Sequence, residues 1–326
     1  MISSETAQKI LDRHNLGRLT SFEKQESGIT GSVFSINNKI ILKAQFDSMD
    51  PARSERNAIA CSILQKYNIP SPRLIALDVS KELAPVNYVL ISRLEGSNVR
   101  DIWKSLPEDE QKRLFFEYGK LMAKLHEIPM EKFGDPADKN RQFDEWYGCI
   151  AARFNANLKF AEENRLAPPE KLSAIRQFFS ENSELLHVKA KPVFVHNDFQ
   201  AKNIRYHSGK ICGIFDFDEV LGAHNEMEFI KTCLPFKREK VWLKEILKGY
   251  RSIGTLSDKF EQRLKLYQLN FCLKMLIFAH SNGLKNDYLT NKFYWAINKV
   301  IKEDIDYFDF PSHIWEADIS KVKRMN

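Results

Sequence analysis

Residues 193–229 read VFVHNDFQAKNIRYHSGKICGIFDFDEVLGAHNEMEF, the most informative stretch of the chain. His196-x-Asp198 opens the motif. Asn203 follows that aspartate by five positions, and Asp216 comes thirteen later, between Phe215 and Phe217. Apolar runs around the turn residues Ser208–Gly209 predict short strands at Val193–His196, Asn203–Tyr206 and Ile211–Phe215. A carboxylate, an amide and a second carboxylate in this order suit phosphoryl transfer from a nucleotide. One carboxylate must accept or orient the proton of an attacking hydroxyl. An amide oxygen and another carboxylate must hold the magnesium that neutralises the phosphates. Asp198, Asn203 and Asp216 supply these groups, and the predicted hairpin brings the last two near adjacent strand ends. The plain alternative is a strand-turn-strand whose Asp and Asn only stabilise turns. His196, ending an apolar strand, reads as a buried brace for the loop. A zinc hydrolase built from His196, Asp198, His207 and His224 lacks a recognised ligand spacing.

The N-terminal part offers the matching half of such a site. Ser27-Gly28-Ile29-Thr30-Gly31-Ser32 precedes a predicted strand at Val33–Ile36, and its small residues would let backbone N–H groups approach phosphates. Lys43 lies inside the apolar strand Ile40–Ala44, where an unpaired ammonium is costly. The natural partner expected for it is Glu55, on a helix predicted from Pro51 to Tyr67. A strand lysine paired to a helix glutamate and held over the phosphates is a kinase arrangement. Without the later triad, Lys43 at an edge strand and Glu55 on a solvated face would be the simpler reading.

Texture along the chain predicts two lobes. Residues 1–94 carry short β-like runs, including Arg73–Asp78 and Tyr88–Ser92, and an opening helix capped by Ser3 or Ser4. Beyond Gly96, helical patterns cover Pro107–Ile128 and residues 143–165, 169–187, 238–250, 257–281 and 287–303. The expected fold class is α+β and bilobal: a small β-rich lobe with one main helix (1–94), then a larger, mostly helical lobe (95–326).

Composition narrows the class. With 326 residues, 43% hydrophobic and 28% charged, the chain is neither collagenous nor largely disordered. Its five cysteines are scattered and never form C-x-x-C, which argues against a disulfide framework or zinc ribbon. No uncharged apolar run reaches the ~18 residues a membrane span requires, and no signal-peptide pattern opens the chain. A reducing, cytoplasmic setting with no membrane partner is the default expectation. The net charge of +6 could suggest nucleic acid, but the basic residues are dispersed except at Lys237–Lys240 and Lys321–Arg324, and no stacking module accompanies them.

Together these residues resemble the aminoglycoside phosphotransferase family, protein-kinase-like enzymes that phosphorylate small molecules. The resemblance spans about residues 20–300 and includes Ser54-Glu55-Arg56, Ile69 to Arg73, the connector Leu90 to Gly96, and Leu121 to His126. It is most specific from His196 to Phe199 and from Phe215 to Phe217. It implies a protein-kinase-like fold, with Asp198 as catalytic base and Asn203 with Asp216 as magnesium ligands. Lys43, with Gly28, Gly31, Ser32 and Glu55, would serve the phosphates of ATP or GTP. The backbone of Ile91, Ser92, Arg93 and Leu94 would meet the purine. His126 is read as structural, packing beneath the active-site loop. Two positions depart from the family: many members carry Gly where Asn197 stands, and an aspartate where Ala223 stands. Glu226 or Glu228 would then supply the missing acid.

Between Cys212 and Ile230 there is no Lys or Arg, while Asp216, Asp218, Glu219, Glu226 and Glu228 contribute five acids. Such a wall would attract a cationic acceptor, an aminoglycoside-like compound first; the alternative is that these acids serve magnesium and helix starts. Asp144 and Trp146 add an acid and an aromatic to the expected acceptor-binding set with Asp218, Glu219 and Glu226. The alternatives are a kinase of a metabolite such as choline, homoserine or a fructosamine, and a catalytically silent nucleotide-binding or scaffold protein.

Overall fold

Ser3 caps the first helix, its hydroxyl accepting the Thr6 N–H at 3.1 Å, and Ala7, Ile10 and Leu11 emerge on one fully buried face. The computed structural model describes residues 2–25, 31–45, 50, 52–232, 240–283 and 301. Gly28 and, but for residue 301, the helix predicted at 287–303 lie outside the described residues. In chain order the elements begin α1 (Ser4–Arg13), β1 (Phe22–Lys24), β2 (Gly31–Ile36), β3 (Ile40–Gln45), α2 (Arg53–Lys66) and β4 (Leu74–Asp78). β5 (Asn87–Ser92), β6 (Ser97–Asn98), α3 (Val99–Ile102), α4 (Glu108–His126), β7 (Phe133–Gly134) and β8 (Gln142–Phe143) follow. Next come α5 (Trp146–Glu163), α6 (Pro169–Glu181), β9 (Val193–Val195), β10 (Ile204–His207) and β11 (Lys210–Ile214). The described chain continues through β12 (Leu221–Ala223), α7 (Phe229–Thr232), α8 (Lys240–Arg251) and α9 (Phe260–Ser281).

The packing divides the chain into two units. One comprises Met1–Leu114, Asp135–Asn140 and Gln200–Val220; the other comprises Phe115–Gly134, Arg141–Phe199 and Leu221–Asn326. This division differs from the expected boundary at residue 94, for an identifiable reason. β10 pairs with β6 through Arg205↔Asn98 and Tyr206↔Ser97, so the β10–β11 hairpin completes a three-stranded sheet with an early strand. Residues 200–220 therefore belong with the first unit although the chain reaches them late.

In the first unit a five-stranded antiparallel sheet runs β1-β2-β3-β5-β4. β2 turns into β3 through Asn37 and Asn38, both left-handed at φ 52° and 55°, a conformation asparagine tolerates better than most side chains. α1 covers this sheet, packing Ala7, Ile10 and Leu11 into one cluster with Phe34, Ile36, Leu42 and Leu90. In the second unit β9, β12, β7 and β8 form a small sheet, and the helices bury large aromatics. Phe154 of α5 stacks on Phe179 of α6 at 3.8 Å between centroids. Trp146 and Tyr267 meet edge to face at 5.9 Å. Among the described residues, no helix is long and apolar enough to cross a membrane.

Candidate active site

The first unit organises its chemistry around one lysine. β10 and β11 pair as far as Ile204↔Ile214, and the Phe215 N–H then donates to the Asn203 carbonyl at 3.0 Å. Asn203 and Asp216 thus leave the same end of one hairpin. Asp216 is left-handed, φ 73°, a conformation that costs an ordinary residue about 1–2 kcal/mol and that tends to persist at functional sites. Its Oδ1 accepts from Lys43 Nζ at 2.7 Å, and Asp218 Oδ1 accepts from the same ammonium at 2.6 Å. Asn57, from α2, closes the group: its Oδ1 lies 3.4 Å from Lys43 Nζ and its Nδ2 donates to Asp218 at 2.6 Å. Burial alone would pull the Lys43 ammonium down, but the carboxylates of Asp216 and Asp218 outweigh it and hold the group above its ordinary value. Arg56 ties the surroundings together, donating to the Asp218 carbonyl and the Asp135 carboxylate, each at 2.6 Å, and also to Asp50.

The second unit organises its chemistry around one aspartate. β9 pairs with β12 by Leu221↔Val195, and the chain then turns at Asn197, left-handed at φ 59°. Gly and Asn are the residues that accept that backbone most readily. His196 is fully buried. Its N–H donates to Glu228 Oε2 at 2.6 Å, and its Nδ1 accepts the Asp198 N–H at 3.2 Å. The Phe199 carbonyl accepts from Tyr118 OH at 3.1 Å. The loop carrying Asp198 is therefore held at three successive points. Asp198 Oδ1 lies 3.0 Å from Lys231 Nζ. Beneath the loop, buried His126 shares a hydrogen bond with Tyr250 OH at 2.8 Å and stands 3.7 Å from Glu228. Ala223 is wholly buried in β12, opposite Val193. A Cβ on the preceding Gly222 would lie 2.0 Å from the Lys132 carbonyl, so that strand admits little change. The acid near this position that meets the loop is Glu228.

Several expected partners are arranged differently. Lys43 is held by Asp216, Asp218 and Asn57, not by Glu55, which is half-buried on α2. Gly31 and Ser32 lie in β2, paired with Gln45 and Ala44. Ile91 and Ser92 end β5, where the Ser92 hydroxyl accepts the Arg73 N–H at 2.9 Å. The Arg93 N–H is taken by the Lys39 carbonyl at 2.8 Å and its guanidinium by Asn38 at 2.9 Å; half-buried Leu94 follows it. The acids expected to form an acceptor wall each have a partner within their own unit. Asp218 belongs to the Lys43 group, Glu219 acts electrostatically on Arg56, and Asp144 is exposed and paired with Lys132. Glu226 is buried against Arg263, Nε at 2.7 Å, and accepts the Ser257 N–H at 2.9 Å. Trp146 is a core residue, 1% exposed, its indole donating to Tyr267 OH at 2.9 Å. Sequence reasoning passed over Asn57, Asp135 and Lys231. Lys231 did leave a signal, as the first cation after the acid-only stretch.

Comparison with known proteins places this arrangement. A family model described as the phosphotransferase enzyme family matches residues 26–260. No curated protein matches the sequence. Among solved structures, the streptomycin–ATP–APH(2'')-IIa ternary complex is 14% identical at a TM-score of 0.67, covering 96% of this chain and 98% of that one. The aminoglycoside phosphotransferase APH(4)-Ia is 14% identical at 0.69, with 93% and 100% covered. A protein assigned as a fructosamine-3-kinase from Thermobifida fusca is 14% identical at 0.69, with 91% and 100% covered. Likeness at this identity establishes the fold, a kinase-like α+β fold with an antiparallel-sheet lobe and a helical lobe. The family model, which spans well over half the residues, establishes the relationship: this chain belongs to the phosphotransferase enzyme family.

Proposed function

We propose that this phosphotransferase moves the γ-phosphate of ATP or GTP, with magnesium, to a hydroxyl group of a small-molecule acceptor. The observation that carries the reading is Asp198: buried to 8% exposure, pinned through its own N–H by His196, and carrying a carboxylate oriented by Lys231. In this reading Asp198 accepts the acceptor's hydroxyl proton as oxygen attacks phosphorus, and the nucleoside diphosphate departs. Lys43 serves the donor phosphates, exchanging part of its contact with Asp216 for phosphate oxygens.

The donor set fits magnesium. Asp216 and Asn203 offer a carboxylate and an amide oxygen from one hairpin end, and hard oxygen donors supplemented by phosphate suit this ion. Among the described residues, no group of three His, Cys, Asp or Glu side chains is placed to cage a metal, consistent with an ion held jointly with a nucleotide. Magnesium would neutralise the phosphates and the charge developing during transfer. The left-handed Asp216 keeps its carboxylate partly solvent-exposed, at 35%, and so available to an ion.

The acceptor class is the finer point. An aminoglycoside-like, cationic acceptor is supported by the aminoglycoside phosphotransferases of matching fold. The local acids that also pointed there are engaged with Lys43, Arg263 and Lys132. That engagement favours the second reading, a kinase acting on a metabolite. The test is release of nucleoside diphosphate from ATP or GTP, with magnesium, against a panel of aminoglycosides and metabolite alcohols. Acceptor-dependent release that disappears in Asp198→Ala is the expected result. Absence of release with every acceptor would favour the silent, nucleotide-binding alternative.

A further inference from the structure

Two arginines three positions apart on α2 are held very differently. Arg56 is fully engaged, its guanidinium donating to the Asp218 carbonyl and to the carboxylates of Asp135 and Asp50. Arg53 is not. Its side chain is only 13% exposed, yet its Nε is buried with no hydrogen-bond partner. Its Nη1 stands 3.9 Å from Asp218 Oδ2, close enough for attraction but too far for a hydrogen bond. A buried donor left unmade is costly, and buried polar groups are nearly always paired.

The place of this guanidinium in the first unit gives it a role. Arg53 and Asn57 are four residues apart and so share one face of α2. Asn57 Nδ2 donates both to the Arg53 carbonyl at 2.9 Å and to Asp218 Oδ1 at 2.6 Å. The same Asp218 oxygen accepts from Lys43 Nζ at 2.6 Å, and Lys43 also meets Asp216 at 2.7 Å. Arg53 therefore stands across one carboxylate from the lysine and the aspartate assigned above to the donor phosphates and magnesium. Neutralising Asp218 does not account for it, since Lys43 and Asn57 already meet that carboxylate at hydrogen-bond distance and Arg53 Nε takes no part.

Resting on the phosphotransfer reading, we infer that Arg53 is a second phosphate-binding cation of the donor site, its Nε and one Nη donating to the oxygens of a nucleotide phosphate. The planar fork of a guanidinium matches two oxygens of one phosphate, which a lysine ammonium cannot do. Lys43 is already divided between two carboxylates, so a further donor beside it supplies what the phosphates still lack. Arg56, three residues on, belongs to the frame, because each of its contacts is to the protein.

A series that adds one phosphate at a time tests this: nucleoside, monophosphate, diphosphate and the β,γ-imido triphosphate, in adenine and guanine forms. Binding of each to the full chain with magnesium is measured by calorimetry, and nucleoside diphosphate release is measured separately with ATP and GTP. Arg53→Gln should weaken the member that first carries the contacted phosphate, and every longer one, by about tenfold or more. The nucleoside should stay within about twofold. The step at which the loss begins identifies the phosphate that Arg53 holds. Arg53→Lys keeps the charge without the fork and should recover part of the loss; it carries the same comparison if the glutamine variant does not fold. Equal weakening of the whole series, nucleoside included, or no weakening of any member, would overturn the assignment even where phosphate transfer is observed. Phosphate-dependent binding that needs Arg53 but gives no diphosphate with any acceptor would uphold the residue and remove the phosphotransfer reading. Failure of the unaltered chain to bind any member would overturn both.

Discussion

The two units solve opposite electrostatic problems. In the first, one lysine stands between two carboxylates, Lys43 with Asp216 at 2.7 Å and Asp218 at 2.6 Å. In the second, one carboxylate, Asp198, stands 3.0 Å from one ammonium, Lys231. In each, buried charge is held by a partner of opposite sign, and Asp218 also meets Arg53 at 3.9 Å. The net charge of +6 conceals both.

Breaking the second cluster at its centre should have the largest effect. Asp198→Ala should lower kcat by about 10³–10⁴, the upper range for loss of a general base, while nucleotide Kd stays within about twofold. Single-turnover kinetics and calorimetry would check this; a variant retaining substantial turnover would remove Asp198 from the role of base.

The comparison sharpens when each lysine is replaced by methionine. Lys43→Met leaves two carboxylates facing each other and should cost about 3 kcal/mol, reduced from the full buried-pair value because Asp216 is partly solvated. Lys231→Met leaves a single carboxylate and should cost about 1 kcal/mol. Urea unfolding of both variants reads the difference, and equal losses would argue against the asymmetry.

Acid should act through the second unit. His224 is buried, its Nδ1 sharing a hydrogen bond with Tyr267 OH at 3.1 Å, and burial pushes its pKa down to about 4. The unfolded chain takes up that proton near pH 6.5 and the folded chain does not, so stability falls as pH drops from about 6.5 to about 4. The loss should be about 3 kcal/mol, measurable by denaturant titration at several pH values. Glu226 resists burial's upward pull because Arg263 holds it low, so its own contribution is lost only at still lower pH. Replacing His224 with Gln should flatten the slope between pH 6.5 and 4.

The smallest expected effect tests the backbone of the two loops. Asn197 and Asp216 are both left-handed, at φ 59° and 73°. Asn197→Ala should cost about 1 kcal/mol and Asn197→Gly only a few tenths. A reversed order in thermal unfolding would mean that the Asn197 side chain, rather than its backbone, supports the loop.

Much of the local geometry of the candidate site was legible in the sequence. The spacing from His196 to Asp216 encodes a loop and a hairpin, both local structures, and local structure follows from residues close in sequence. Asn203 and Asp216 come together because a short hairpin has few registers available. The Lys43 partner was not legible. Glu55 and Asn57 are two residues apart on α2, a rotation of about 200°, so the helix face that presents Asn57 to Lys43 turns Glu55 away. Which face that is depends on how α2 packs, and the acids actually taken by Lys43 lie 173 and 175 positions along the chain. The partners of the acid run were hidden for the same reason: its members find cations far along the chain, as Asp218 finds Lys43 and Glu226 finds Arg263.

By itself, then, the amino-acid sequence determined the β-rich lobe, the helical lobe and the loop and hairpin that carry Asp198, Asn203 and Asp216, because propensity, periodicity and turn chemistry act over a few residues. Tertiary structure decided where the units divide and which charges pair. Coulombic pairing depends on distance in space, and only the folded chain sets that distance.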